Sequence, residues 1–128
     1  MFKFVSSVLL LVAAASAHAN PAEIYGKWQG TQTDNGYVFN IVFDFQPTVL
    51  EVTNTCSYQG QSAVAKASAP EQVTDSQVII KSAAQNSASA GNLTCNVDIQ
   101  PYTFNYLVNG NKLTLTLGGQ SLDFVRVP

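Results

Sequence analysis

The chain has 128 residues, a formal net charge of −2, and 11% charged against 46% hydrophobic residues. That is the length of one domain, and it has too little positive charge to hold a nucleic-acid backbone or an anionic membrane surface. Two cysteines, Cys56 and Cys95, make an even number.

Residues 1–19 are built like an export signal. Lys3 supplies the positive start, Val8-Leu9-Leu10-Leu11-Val12 the apolar run, and Ala17-His18-Ala19 an A-x-A cleavage site. The apolar run falls short of the roughly 20 residues that a membrane-spanning helix needs. Cleavage before Asn20 is therefore expected, with residues 20–128 forming one domain that is secreted or periplasmic. In that compartment the two cysteines are expected to form a disulfide. The only histidine, His18, leaves with the signal, and with it go the commonest general base and the commonest metal ligand.

After a short lead-in, alternation of apolar and polar residues predicts a succession of strands. The first opens at Tyr25-Gly26-Lys27-Trp28-Gln29-Gly30, which holds the only tryptophan. Asn35-Gly36 favours a two-residue type I′ turn, and this sets the register of the first hairpin. Trp28 then faces Phe43, Gly30 faces Ile41, Gln32 faces Phe39, and Lys27 meets Asp44 on the other side. Gly30, opposite Ile41, reads as room for a neighbour or a bend. The third strand runs from Val49 to Tyr58, with Leu50, Val52, Cys56 and Tyr58 on one face. Residues 61–70 read as a weak strand and residues 77–81 as a clear one. The Ser/Ala/Asn-rich stretch 82–92 reads as a mobile loop or a single helical turn.

Leu93, Cys95, Val97 and Ile99 share one phase, and Tyr102, Phe104, Tyr106 and Val108 the other. The break at Gln100-Pro101 is expected to be a β-bulge in one bent strand, with a tight hairpin as the alternative. A turn at Asn109-Gly110 would pair Tyr106 with Leu113 and Phe104 with Leu115. A second turn at Gly118-Gly119 would pair Leu115 with Leu122 and Leu113 with Phe124. A one-residue slip would turn every large side chain outward.

These strands point to an all-β fold, an up-and-down antiparallel barrel of about eight strands with one disulfide. The terminal strands are good β-formers with few lysines to guard an open edge, and closure removes the edges. The first and last strands then become neighbours, so that Arg126 can cover the face of Trp28. Cys56 and Cys95 would lie about three strand spacings, or roughly 14 Å, apart along such a wall, whereas a disulfide needs Cα atoms within about 7 Å. One cysteine must leave the wall, and residues 82–92 folding over the mouth are the expected means.

Gly26-Lys27-Trp28 in the first strand, with Arg126 in the last, resembles the lipocalin and wider calycin pattern. The resemblance implies a ligand-binding barrel whose closed end is plugged by that tryptophan and arginine. Size, export signal and single disulfide are also similar to the small proteobacterial metalloprotease inhibitors. For those, the resemblance implies that residues 20–23 would enter the cleft of an enzyme.

On the barrel reading Phe39, Ile41, Phe43, Val52, Phe104, Tyr106, Leu115 and Phe124 face the interior. Of these, Phe39, Ile41, Phe43, Phe104, Tyr106 and Phe124 are the candidate ligand-binding residues, while Trp28, Arg126, Cys56 and Cys95 are structural. An eight-stranded barrel is just wide enough to be filled by side chains or to hold one small ligand, and this aromatic content favours filling. The carboxylates Asp44, Glu51, Asp98 and Asp123 fall on polar faces and read as solvated surface, and the serines have no histidine partner. No catalytic residue, metal ligand or cofactor is expected, and the partners in view are a small hydrophobic ligand or another protein.

Overall fold

A computed structural model describes residues 21–128; the export-signal reading of residues 1–19, and Asn20 after it, lie outside the described residues. A 3-10 turn at Pro21–Glu23 leads into ten strands: β1 (Gly26–Asp34), β2 (Tyr37–Phe45), β3 (Val49–Tyr58), β4 (Gln61–Val73), β5 (Gln77–Ile80), β6 (Ala84–Ala90), β7 (Leu93–Ile99), β8 (Thr103–Asn109), β9 (Lys112–Leu117) and β10 (Gln120–Arg126). Eight close into an antiparallel barrel in the order β1-β10-β9-β8-β5-β4-β3-β2, and β6-β7 form a separate hairpin.

The first hairpin has the register its turn dictates, with Trp28 opposite Phe43, Gly30 opposite Ile41 and Gln32 opposite Phe39. Asn35 and Gly36 both sit at positive φ, as a type I′ turn requires. Gly30 lies beside the closing seam between β1 and β10, where a Cβ would come within 2.9 Å of the Phe124 ring. The missing side chain is thus the space that one aromatic ring of β10 occupies.

The C-terminal meander keeps the expected faces but changes one register. Tyr106 pairs with Leu115 and Val108 with Leu113, so the turn residues are Gly110-Asn111 rather than Asn109-Gly110. Gly110 takes a positive φ at the first central position. The shift moves each partner by two residues, which preserves the side of the sheet every residue faces. The next turn, Gly118-Gly119, pairs Leu115 with Leu122 and Leu113 with Phe124 as its spacing predicts.

Residues 61–70 belong to the longest strand, not a weak one. β4 pairs with β3 from Val49↔Pro70 to Tyr58↔Gln61. The inward positions Ala63, Ala65, Ala67 and Ala69 are small because a second layer lies against them. That layer is the β6-β7 hairpin, so residues 82–92 are neither mobile loop nor helical turn. Every residue of β6 pairs with β7, from Ala84↔Ile99 to Ala90↔Leu93. Pairing to an apolar strand and packing on alanines override the poor strand propensity of Ala84–Ala90.

Gln100-Pro101 is accordingly neither bulge nor tight hairpin. The chain leaves the β6-β7 sheet there and re-enters the wall as β8, which pairs with β5. The Tyr102 amide bonds to the Gln100 carbonyl at 2.8 Å, a γ-turn with Pro101 at its centre. The phase of the alternation switches because the strand changes sheets. Cys56 of β3 and Cys95 of β7 join in a disulfide with Cα atoms 5.6 Å apart, so Cys95 is the cysteine outside the wall.

Candidate ligand-binding cavity

One end of the barrel is sealed. Trp28 pairs directly with Arg126, whose guanidinium carbon lies 4.0 Å from the centre of the indole. The indole is fully buried and donates its N–H to the Ile24 carbonyl at 2.8 Å. Arg126 donates to the Glu23 carbonyl at 2.7 Å and the Tyr25 carbonyl at 3.3 Å, tying the 3-10 turn across the barrel end. Ile24, also fully buried, fills the space between.

Above this plug the interior is not filled. A cavity of about 280 Å³ lies between the wall and the hairpin. Ile41, Phe43 and Phe45 of β2 form one side, with Leu50, Val52 and Asn54 of β3 next to them. Val78 and Ile80 of β5, Phe104 of β8 and Leu115 of β9 form the opposite side. Val97 and Ile99 of β7 line it from the hairpin. The expected filling fails because the hairpin takes the place that long side chains from β4 would otherwise occupy, and it covers only part of the lumen.

The exposed lining residues mark the mouth. Asn96 and Asp98 lie on the outward face of β7, followed by Gln100 and the half-exposed Tyr102. Asp98 Oδ1 accepts from the side-chain amides of both Gln85 and Gln100. Asn54 donates its side-chain amide to the Asn96 carbonyl at 2.9 Å, linking wall to hairpin, while its Oδ1 is buried with no partner among the described residues.

Of the six candidate ligand-binding residues, Ile41, Phe43 and Phe104 line the cavity. Phe39 sits nearer the disulfide, opposite Cys56, and stacks 6.2 Å from Tyr37. Phe124 packs against Phe43 at 4.9 Å on the seam side. Tyr106 is buried and donates its hydroxyl to the Thr74 carbonyl at 2.7 Å. Burial, with the nearby charge of Asp75 second, pushes its phenol up to about 12. It is therefore a neutral donor committed to the turn between β4 and β5.

Reading the strands as one continuous wall could not find the hairpin side of the site, namely Asn96, Asp98 and Gln100. The available signals were the phase switch at Gln100-Pro101 and the disulfide distance, which requires a cysteine to leave the wall. Glu71 is buried on the inward face of β4, where an acidic residue type gives no sign of burial. It is 4% exposed, neither carboxylate oxygen has a partner among the described residues, and burial raises it from the ordinary 4.5 to about 7. No family model matches the chain, and neither the curated proteins nor the solved structures contain a significant match.

Proposed function

We propose that the protein is an exported, non-catalytic binding protein that takes a small apolar molecule into its barrel, as the lipocalin-like pattern of Trp28 and Arg126 suggests. The observation that carries this reading is the apolar cavity of about 280 Å³, closed at the Trp28 end and opening beside the hairpin. A liquid water occupies about 30 Å³, so the cavity has room for roughly ten non-hydrogen atoms. Apolar pockets with a few polar groups at the mouth are the usual form of small-molecule sites.

The inhibitor reading gains less support. Its cleft-entering segment would have to come from residues that Arg126 and the buried Ile24 hold against the barrel.

Calorimetric titration with 1-octanol tests the proposal. At about 0.7 kcal/mol per non-hydrogen atom, one molecule is expected to bind with a dissociation constant of tens of micromolar. Ile41→Trp, which fills the cavity from β2, is expected to abolish binding while the far-ultraviolet spectrum stays that of the native sheet. Binding unaffected by that substitution would refute the reading.

A further inference from the structure

We infer that the cavity is built for an apolar amine, its hydrocarbon body inside and its ammonium at the hairpin edge of the mouth, next to Asp98. This rests on the binding reading above and adds the chemistry of the ligand's polar end.

Among the described residues that line the cavity, Asp98 is the one with a charged side chain. It lies at the mouth, in the exposed phase of β7, and it enters neither of the two ion pairs among the described residues, Lys66–Glu51 and Lys112–Asp123. Both amides that bond to it, from Gln85 and Gln100, go to Oδ1, and Oδ2 has no partner among the described residues. Those two bonds fix the carboxylate at the rim without neutralising it.

Asn54 donates to the Asn96 carbonyl, and Gln100 donates to Asp98 Oδ1. Three acceptors have no donor among the described residues: Asp98 Oδ2, the Gln100 side-chain Oε1 and, deeper in the wall, Asn54 Oδ1. An ammonium brings three donors and no acceptor, which complements such a mouth, whereas a carboxylate brings only acceptors. Tyr102 and Phe104, edge to face 6.3 Å apart, line the same cavity, and aromatic ring faces attract a cation. Below the rim the lining is aliphatic and aromatic, so the body of the ligand is apolar.

A chain of matched length separates the terms. 1-Octylamine, 1-octanol and octanoate share one body and differ in the head. At pH 7 the amine is protonated and the acid ionised. Calorimetric titration of the wild-type protein at low salt is expected to rank amine over alcohol over carboxylate, with at least about tenfold between the extremes. In 0.5 M sodium chloride that spread narrows several-fold, as it must for a charge at a solvent-facing rim. In Asp98→Asn the amine-to-alcohol affinity ratio falls to about one. Equal affinities for amine and carboxylate, or an amine-to-alcohol ratio that survives Asp98→Asn, would overturn the inference and leave the cavity reading standing. Failure of all three ligands to bind would overturn both.

Discussion

Arg126 shows how one side chain can serve two purposes at the closed end. It covers the indole of Trp28, and its hydrogen bonds capture two carbonyls of the lead-in, at Glu23 and Tyr25. Removing it loses a part-buried cation–π contact and both hydrogen bonds from the last strand to the lead-in. Arg126→Ala is therefore expected to lower unfolding free energy by about 2–3 kcal/mol, read from the urea midpoint. Arg126→Lys is expected to recover less than half, because an ammonium cannot both stack flat and reach two acceptors. Glu71 works in the opposite sense. Its folded-state value of about 7 lies above the ordinary 4.5, so the native protein holds the proton more tightly than the unfolded chain does. The favourable contribution is complete below about pH 4.5 and is lost as pH rises through 7. Melting temperature should fall between pH 5.5 and pH 8.5, and Glu71→Gln should flatten that slope and raise stability at the higher pH by about 1–3 kcal/mol. A wild-type profile that is level across this range would contradict the assignment. The role of Glu71 was not legible from residue type alone, since its burial follows from the inward phase of a strand otherwise lined by alanines.

Among the elements, the β6-β7 hairpin decides what the barrel encloses. It lies against β3 and β4, is joined to β3 by Cys56–Cys95, and bonds to the wall through Asn54 and through Asn86, which donates to the Lys66 carbonyl at 2.8 Å. Closing a loop with a sequence separation of 39 contributes roughly 4 kcal/mol in the chain-entropy model. The paired substitution Cys56→Ser, Cys95→Ser is expected to cost about that much stability. Hydrogen exchange should show protection lost first in β6 and β7, with β1, β2 and β3 retained longest. The turns at Asn35-Gly36 and Gly118-Gly119 set their registers locally, so those hairpins could be read from the chain. The β6-β7 hairpin could not. Its strand character comes from pairing to Leu93–Ile99 and from the alanine face of β4, neither of which is a local property of Ala84–Ala90. The distance constraint on the disulfide did require one cysteine to leave the wall, which is the part of that arrangement a spacing argument can reach.

At the scale of the whole molecule, closure and emptiness have the same origin. The chain spends eight strands on the wall and lays a two-stranded hairpin against β3 and β4, which leaves part of what the wall surrounds unfilled. The plug at Trp28 makes one end watertight, and the exposed face of β7 leaves a way in at the other. Closure was legible because the end strands carry a complementary tryptophan and arginine in register; the cavity was not, because alternation names a face without telling how far away its neighbour lies. The most direct test is a crystal structure of the protein grown with 1-octanol. The account predicts density for one octyl chain between Phe43, Phe104 and Leu115, with its hydroxyl toward Asp98. An interior closed by rearranged side chains, with any octanol found only on the outer surface, would contradict it.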